Sequence, residues 1–171
     1  MKKLIILILL AMGFTLVCND EDTVMIPASS IRMRVIAKSN SKTDQKEKMK
    51  VKSILEEKIY DITKGIKDYD EVDETINSNK DIIDEYIKTE MKNNNIDAKF
   101  TSNYGYNYFP EKNFKGVTYK SGNYKSYVVT LGNGEGENWW CVLYPPLCLV
   151  DESISDYEYH SLIKDIVNKY N

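Results

Sequence analysis

Apolar and polar positions alternate along Ile31-Arg32-Met33-Arg34-Val35-Ile36-Ala37, the period-two pattern of a half-buried strand. Ile31, Met33, Val35 and Ala37 are expected to face a core, with Arg32 and Arg34 sharing the other face. After a polar turn over 38–42 the period becomes helical. Val51, Ile54, Leu55, Ile59 and Ile62 form one stripe over about 43–63, with Gly65 as the stop. A second helical stretch over about 71–93 carries Val72, Ile76, Ile83, Tyr86, Ile87 and Met91, and Ser78-Asn79 is a candidate break in it. From Ala98 onward the texture is β, rich in Tyr, Phe, Thr and Val. Strands are predicted over about 98–104, 123–131 and 139–144, with irregular chain over 107–114 around Pro110. Gly132-Asn133-Gly134-Glu135-Gly136 carries a hairpin-loop signal. Trp139-Trp140-Cys141-Val142-Leu143 is apolar on both faces, which suits a central strand covered on two sides. Pro145-Pro146 stops it. A last helix opens on the capping box Ser155-Asp156-Tyr157-Glu158 and shows a stripe of Tyr159, Leu162, Ile163, Ile166, Val167 and Tyr170. The order β-α-α-β-β-β-α predicts an α+β fold, a mostly antiparallel sheet packed with two to three helices in a single domain.

The N-terminus reads differently. Lys2 and Lys3 precede a run over 4–17 that is apolar except for Gly13 and Thr15, and charge returns at Asp20, Glu21 and Asp22. A short apolar run behind two lysines fits an export signal better than a full membrane span, which needs about 20 apolar residues. Residues 1–18 are therefore expected to be a signal peptide or membrane anchor, 19–30 a linker, and 31–171 the globular domain. No Ala-x-Ala triplet follows the run, so cleavage near 18–28, lipidation at Cys18 and retention as an anchor stay open. The body would touch the membrane only through an uncleaved leader.

The full chain of 171 residues has a formal charge of −3. Two lysines and no acids leave with the leader, so −3 becomes −5. An acidic body has no electrostatic footprint for nucleic acid. The one basic cluster, Lys46, Lys48, Lys50 and Lys52, spreads over two faces of a helix among acids.

Little in the chain suggests chemistry. A single histidine, His160, excludes multi-histidine metal sites. Cys141 and Cys148 can form a disulfide outside the cytoplasm, or remain two small buried hydrophobes. A thiol–imidazole pair with His160 is disfavoured, because Cys141 lies in an apolar strand and His160 holds an ordinary helical position. Gly132, Gly134 and Gly136 precede a Trp-Trp strand rather than a helix, which argues against a phosphate loop. Asn133 and Glu135 at the loop tip remain candidates for partner contact. The adjacent carboxylates Glu56-Glu57, Asp84-Glu85 and Asp151-Glu152 diverge by about 100° on a helix and do not converge on one site. The expectation is a protein without catalytic residues, metal or cofactor.

The dense segment is Asn138-Trp139-Trp140-Cys141-Val142-Leu143-Tyr144-Pro145-Pro146-Leu147-Cys148. Two adjacent tryptophans on a strand point to opposite faces. Either both are core, or one anchors a partner. With the preceding Gly132-x-Gly134-x-Gly136, this segment resembles the signature of the stage II sporulation protein R family. Ile31-Arg32-x-Arg34-Val35-Ile36-Ala37-x-Ser39-Asn40, then Asp44-Gln45-x-x-Lys48-x-x-Val51, resembles a second block of that family. Phe109-Pro110-x-Lys112 and Gly122-x-Tyr124 match lesser landmarks, so the resemblance covers about 31–150. Lys38-Ser39-Asn40 departs from the family's usual turn, and Tyr144 stands where Phe is common.

The resemblance implies a signal made in the forespore and exported into the space between forespore and mother cell. There it would trigger a membrane-embedded aspartic protease of the mother cell, which processes the precursor of sigma E. The chain would be the ligand and not the enzyme. Its partner surface is expected to include Asn138, Trp139, Trp140, Pro145 and Pro146, the loop residues Asn133 and Glu135, and Arg32 and Arg34 for charge complementarity. An extracytoplasmic cell-envelope hydrolase or a structural envelope protein are the alternatives.

Overall fold

The computed structural model describes residues 24–150 and 153–170. The expected leader, Cys18, the Asp151-Glu152 pair and the linker up to residue 23 lie outside the described residues. Along the chain run β1 (Val24–Met25), β2 (Ile31–Ile36), α1 (Lys42–Thr63), α2 (Tyr69–Ser78), α3 (Lys80–Asn93), β3 (Phe100–Phe109), β4 (Lys112–Phe114), β5 (Val117–Tyr119), β6 (Gly122–Leu131), β7 (Asn138–Tyr144), a 3-10 turn (Leu147–Leu149) and α4 (Asp156–Tyr170). The fold is α+β, with four helices among the described residues rather than two to three. The helical stretch over 71–93 is two helices, broken at Asn79, whose Nδ2 bonds back to the Thr75 carbonyl.

The main sheet has the order β3-β6-β2-β7. β2 pairs parallel with β6 (Met33 opposite Tyr127) and antiparallel with β7 (Arg34 opposite Trp140). Two expectations are corrected here. First, residues 132–136 are not a hairpin loop, because β2 lies between β6 and β7 and the loop crosses its end. Second, the central strand is β2, and β7 lies at the edge. Apolar residues on both faces of β7 report covered faces, not a central place in the strand order. β3 also runs further than expected, to Phe109, and Val24–Met25 joins β5 and β4 in a second small sheet of order β1-β5-β4.

Helices α1–α3 cover one face of the main sheet. Ile31, Met33 and Val35 of β2 are fully buried there with Leu55, Ile76, Ile83, Ile87 and Tyr127. Polar links fix the register of this layer. Tyr127 donates to Asp84 Oδ1 at 2.7 Å, while Lys80 and Ser102 donate to Oδ2 at 2.6 and 2.7 Å. Tyr104 donates to Asp73 at 2.6 Å. The other face meets the small sheet and α4 through Val24, Ile26, Val117, Val142, Leu147, Tyr159, Ile163 and Val167. The capping box forms as drawn, with Ser155 N donating to Glu158 and Glu158 N to Ser155 Oγ. Leu162, placed in the stripe by the sequence, is 46% exposed.

Burial alone would raise the Asp84 carboxyl, but Lys80, Tyr127 and Ser102 together hold it below its ordinary value. Burial and the hydrogen bonds to Asp84 and Asp73 push the Tyr127 and Tyr104 phenols up. A lowered carboxyl contributes stability that is present above its unfolded pKa near 4 and lost as pH falls through the folded value. A raised phenol loses stability as pH climbs past its unfolded value of about 10. Thermal melting should therefore show a plateau near neutrality and a decline on both sides. Asp84→Asn should lower the plateau and flatten the acid limb. Leu55→Ala, which empties a fully buried site, should cost about 2–5 kcal/mol in chemical denaturation.

Candidate functional site

β2 sends its even residues to the face opposite α1–α3, and that decides where two arginines go. Arg32 is 3% exposed. Its guanidinium lies 3.4 Å from the Tyr124 ring centroid and 5.3 Å from that of Phe109. Its hydrogen bonds to Ser30 Oγ and the Lys120 carbonyl are both 3.5 Å, at the outer limit for a useful bond. Arg34 stacks on Phe109 at 4.3 Å and Trp140 at 5.4 Å and donates to the Tyr108 carbonyl. Neither has a carboxylate partner among the described residues. Burial lowers both from the ordinary arginine value, yet arginine stays charged in proteins. Ring faces thus stand where an acid would normally be. A desolvated cation–π contact is worth about 2 kcal/mol, well below the cost of isolating a charge from water.

This pair of cations borders a cleft of about 480 Å³, a size that suits ligand sites. Its floor is Arg32, Trp140 and Val142. Phe114 of β4, Tyr119 of β5 and Tyr159 of α4 form the opposite wall, where the two tyrosine hydroxyls lie 3.1 Å apart. Lys112 stands exposed over Phe114, and Glu137 and Asn138 also line the cleft. The indole nitrogens of Trp139 and Trp140 and Arg34 Nε are buried without an acceptor among the described residues. Of these, the Trp140 N–H belongs to the cleft itself, whose lining carries the cations Arg32 and Lys112 against one acid, Glu137.

The residues singled out in the sequence divide into three places. Arg32, Asn138, Trp139 and Trp140 line the cleft, and Arg34 adjoins it through Phe109 and Trp140. Trp140 faces the arginines, whereas the Trp139 ring lies under Lys52 on the α1 side. Both tryptophans are half-buried, so neither the all-core nor the exposed-anchor picture describes them. Asn133 and Glu135 are exposed on the crossing loop, away from the cleft lining. Pro146 packs beside Glu56, Ile59 and Tyr60 of α1, in a separate shallow pocket, and Pro145 is buried. Phe114, Tyr119 and Tyr159 were not singled out as site residues by the sequence; Tyr159 was read only as part of the last helix's apolar stripe.

Cys141 and Cys148 form a disulfide, with Cα atoms 5.5 Å apart. It ties β7 to the 3-10 turn, and the Cys148 sulfur touches the Val142 carbonyl at 3.0 Å. A disulfide sulfur carries no proton, so this is a close contact and not a hydrogen bond. A Glu56 oxygen lies within 4.8 Å of both sulfurs, but bonded sulfurs are not thiolate ligands. The same bond leaves no thiolate for His160 to activate.

The two motif blocks of the sequence meet at the crossing loop. Gly136 N donates to the Ala37 carbonyl at 2.9 Å, Glu135 N to the Lys38 carbonyl at 3.3 Å and Glu137 N to Asn40 Oδ1 at 2.8 Å. Lys48, 5% exposed, reaches Gln45 Oε1 at 2.6 Å and the Glu137 carbonyl at 3.3 Å. Ser39 donates to Asp44, which lowers the Asp44 carboxyl from its ordinary value. These side chains brace the start of β7.

A family profile for stage II sporulation protein R matches residues 27–154, well over half of the chain. The chain belongs to the stage II sporulation protein R family. It is 33% identical over 135 residues to stage II sporulation protein R of Bacillus subtilis strain 168, covering 79% of this chain and 60% of that relative. The chain therefore spans about 60% of the length of the curated relative it matches. No solved structure matches it. The stage II sporulation protein R match takes in every cleft residue named above except Tyr159, which α4 supplies from beyond it.

A Cβ on Gly136 would sit 2.4 Å from the Ser39 carbonyl oxygen and 2.6 Å from its carbon. Backbone cannot swing aside as a side chain can. Gly136→Ala should therefore destabilise by about 1–3 kcal/mol, read as a lower denaturant midpoint with an unchanged slope.

Proposed function

We propose that this protein is a sporulation signal, made in the forespore and exported into the space between forespore and mother cell. It docks on a membrane-embedded aspartic protease of the mother cell, which then processes the precursor of sigma E. The reading rests on family membership together with one observation: residues Asn138–Val142 of β7, part of the most distinctive block of the sequence, line the cleft beside Arg32. A basic, aromatic, donor-rich cleft suits recognition of another molecule. To activate the protease, the protein must bind its active arrangement more tightly than its inactive one. The expected N-terminal leader would deliver it to the intermembrane space. In this role the protein makes and breaks no bonds itself.

Co-expression tests the proposal. The chain, the membrane protease and the sigma-factor precursor, produced together in a host that does not sporulate, should yield cleavage that vanishes when the chain is omitted. A Trp139→Ala, Trp140→Ala double variant, secreted at normal level, should reduce cleavage by at least tenfold. Normal processing by that variant, once shown to be folded, would remove the tryptophan strand from the docking surface. Cleavage without the chain would remove its role as activator.

A further inference from the structure

β7 is the edge of the main sheet. Antiparallel pairing with β2 uses the backbone groups of alternate β7 residues and leaves the others pointing outward. The cleft runs along this same strand. Consecutive residues from Glu137 to Val142 line it, which requires contact with the backbone edge and not with one face alone. A strand edge with no strand paired to it among the described residues and an aromatic pocket therefore lie side by side.

The pocket also has a definite charge preference. Arg32 is a nearly fully buried cation with two marginal hydrogen bonds and no acid among the described residues. Lys112 adds a second cation, exposed at the cleft. The buried indole N–H of Trp140, a lining residue, lacks an acceptor among the described residues, and so does Nε of Arg34 just beyond the lining. Glu137 is the one acid in the lining. The deficit is in acceptors and negative charge, set in an otherwise aromatic wall.

We infer that the cleft takes an extended acidic segment of a partner protein, added as a further strand to the outer edge of β7. One side chain is a carboxylate directed at Arg32 and Lys112. The residue two positions away is aromatic or large aliphatic and packs against Phe114, Tyr119 and Tyr159. The spacing of two follows because alternate residues of a strand face the same side. Main-chain bonds to β7 supply affinity and the two side chains supply selectivity, as in other strand-addition complexes. This deepens the proposed function and rests on it only for the identity of the partner.

The test is selection of a phage-displayed random nonapeptide library on the purified secreted protein. Enriched peptides should carry an acidic residue two positions from an aromatic or large aliphatic one. They should slow amide hydrogen exchange along Asn138–Tyr144. Binding should weaken about tenfold or more with Arg32→Gln, the scale of one lost charge-assisted hydrogen bond. Lys112→Glu should also weaken it, and because Lys112 is exposed this variant keeps the test intact should Arg32→Gln fail to fold. No enrichment, enrichment of basic peptides, equal binding by Lys112→Glu, or protection confined to the β3 edge would each overturn the inference. The co-expression assay reads the protease separately. Selected peptides that bind β7 yet leave cleavage untouched keep the cleft and remove the protease as its occupant. Failed selection beside chain-dependent cleavage removes strand addition and keeps the signal.

Discussion

The structure depends on β2 being inserted between β6 and β7. A parallel neighbour on one side and an antiparallel neighbour on the other satisfy both of its hydrogen-bonding edges, and both of its faces are covered. Its odd residues meet that demand with Ile31, Met33 and Val35. Its even residues include two arginines, Arg32 buried and Arg34 half-buried. Phe109 from β3, Tyr124 from β6 and Trp140 from β7 converge on them from three strands. The cleft follows from this: a layer built around two cations cannot close into a fully apolar seam, and the small sheet and α4 enclose it only in part.

The same insertion accounts for the glycine-rich loop. To pass from β6 to β7 the chain must cross the end of β2, and it does so in backbone contact with Ala37 and Lys38. Only a residue without Cβ fits at Gly136 against the Ser39 carbonyl. Asn40 and Lys48 then pin Glu137 from the far side, and Gln45 bonds both Lys48 and the Ser39 carbonyl. Two blocks separated by almost a hundred positions are thus one structural unit, a brace for the first residue of the edge strand. The disulfide ties the middle of β7, at Cys141, to the turn that follows the strand. The strand enters and leaves its edge position under restraint, and a restrained edge loses less entropy when another strand joins it.

Local signals were legible in the sequence wherever a period or a cap carried them. The stripes of α1–α3, the break at Ser78-Asn79, the faces of β2 and the Ser155 capping box all follow from side-chain spacing. Strand order was not legible. The hairpin signal of residues 132–136 describes a tight loop, and such a loop can either return beside its own strand or step over a third. Choosing between them depends on where β2 pairs, a contact between positions about 95 apart. The site was half legible for the same reason. Trp140 and Arg32 stood out by type and alternation, whereas Phe114, Tyr119 and Tyr159 sit in short or distant elements with no pattern linking them to β7. The prolines stood out too, but Pro145 is buried and Pro146 packs beside α1, after Tyr144, whose hydroxyl bonds to the Lys67 carbonyl.

The main sheet has two edges, and the contrast between them explains why one suits selective docking. β3 is ten residues long and exposes Tyr106 and Tyr108 at 72% and 61%. Its edge offers main-chain groups to any strand that approaches, and none of its residues but the last, Phe109, lines the cleft. An edge of that kind discriminates poorly. β7 is shorter, seven residues, and is flanked by a wall from β4, β5 and α4. A strand approaching it must place its side chains among aromatic rings and beside a buried guanidinium, so a wrong segment meets a cation with no acid opposite it among the described residues. Specificity is a difference of affinities, and repulsion of wrong partners contributes as much as attraction of the right one. For a partner of the kind proposed, the buried arginine would be the discriminating element: without an acidic residue opposite it, the main-chain bonds along β7 would have to form over a cation held only by ring faces and marginal hydrogen bonds.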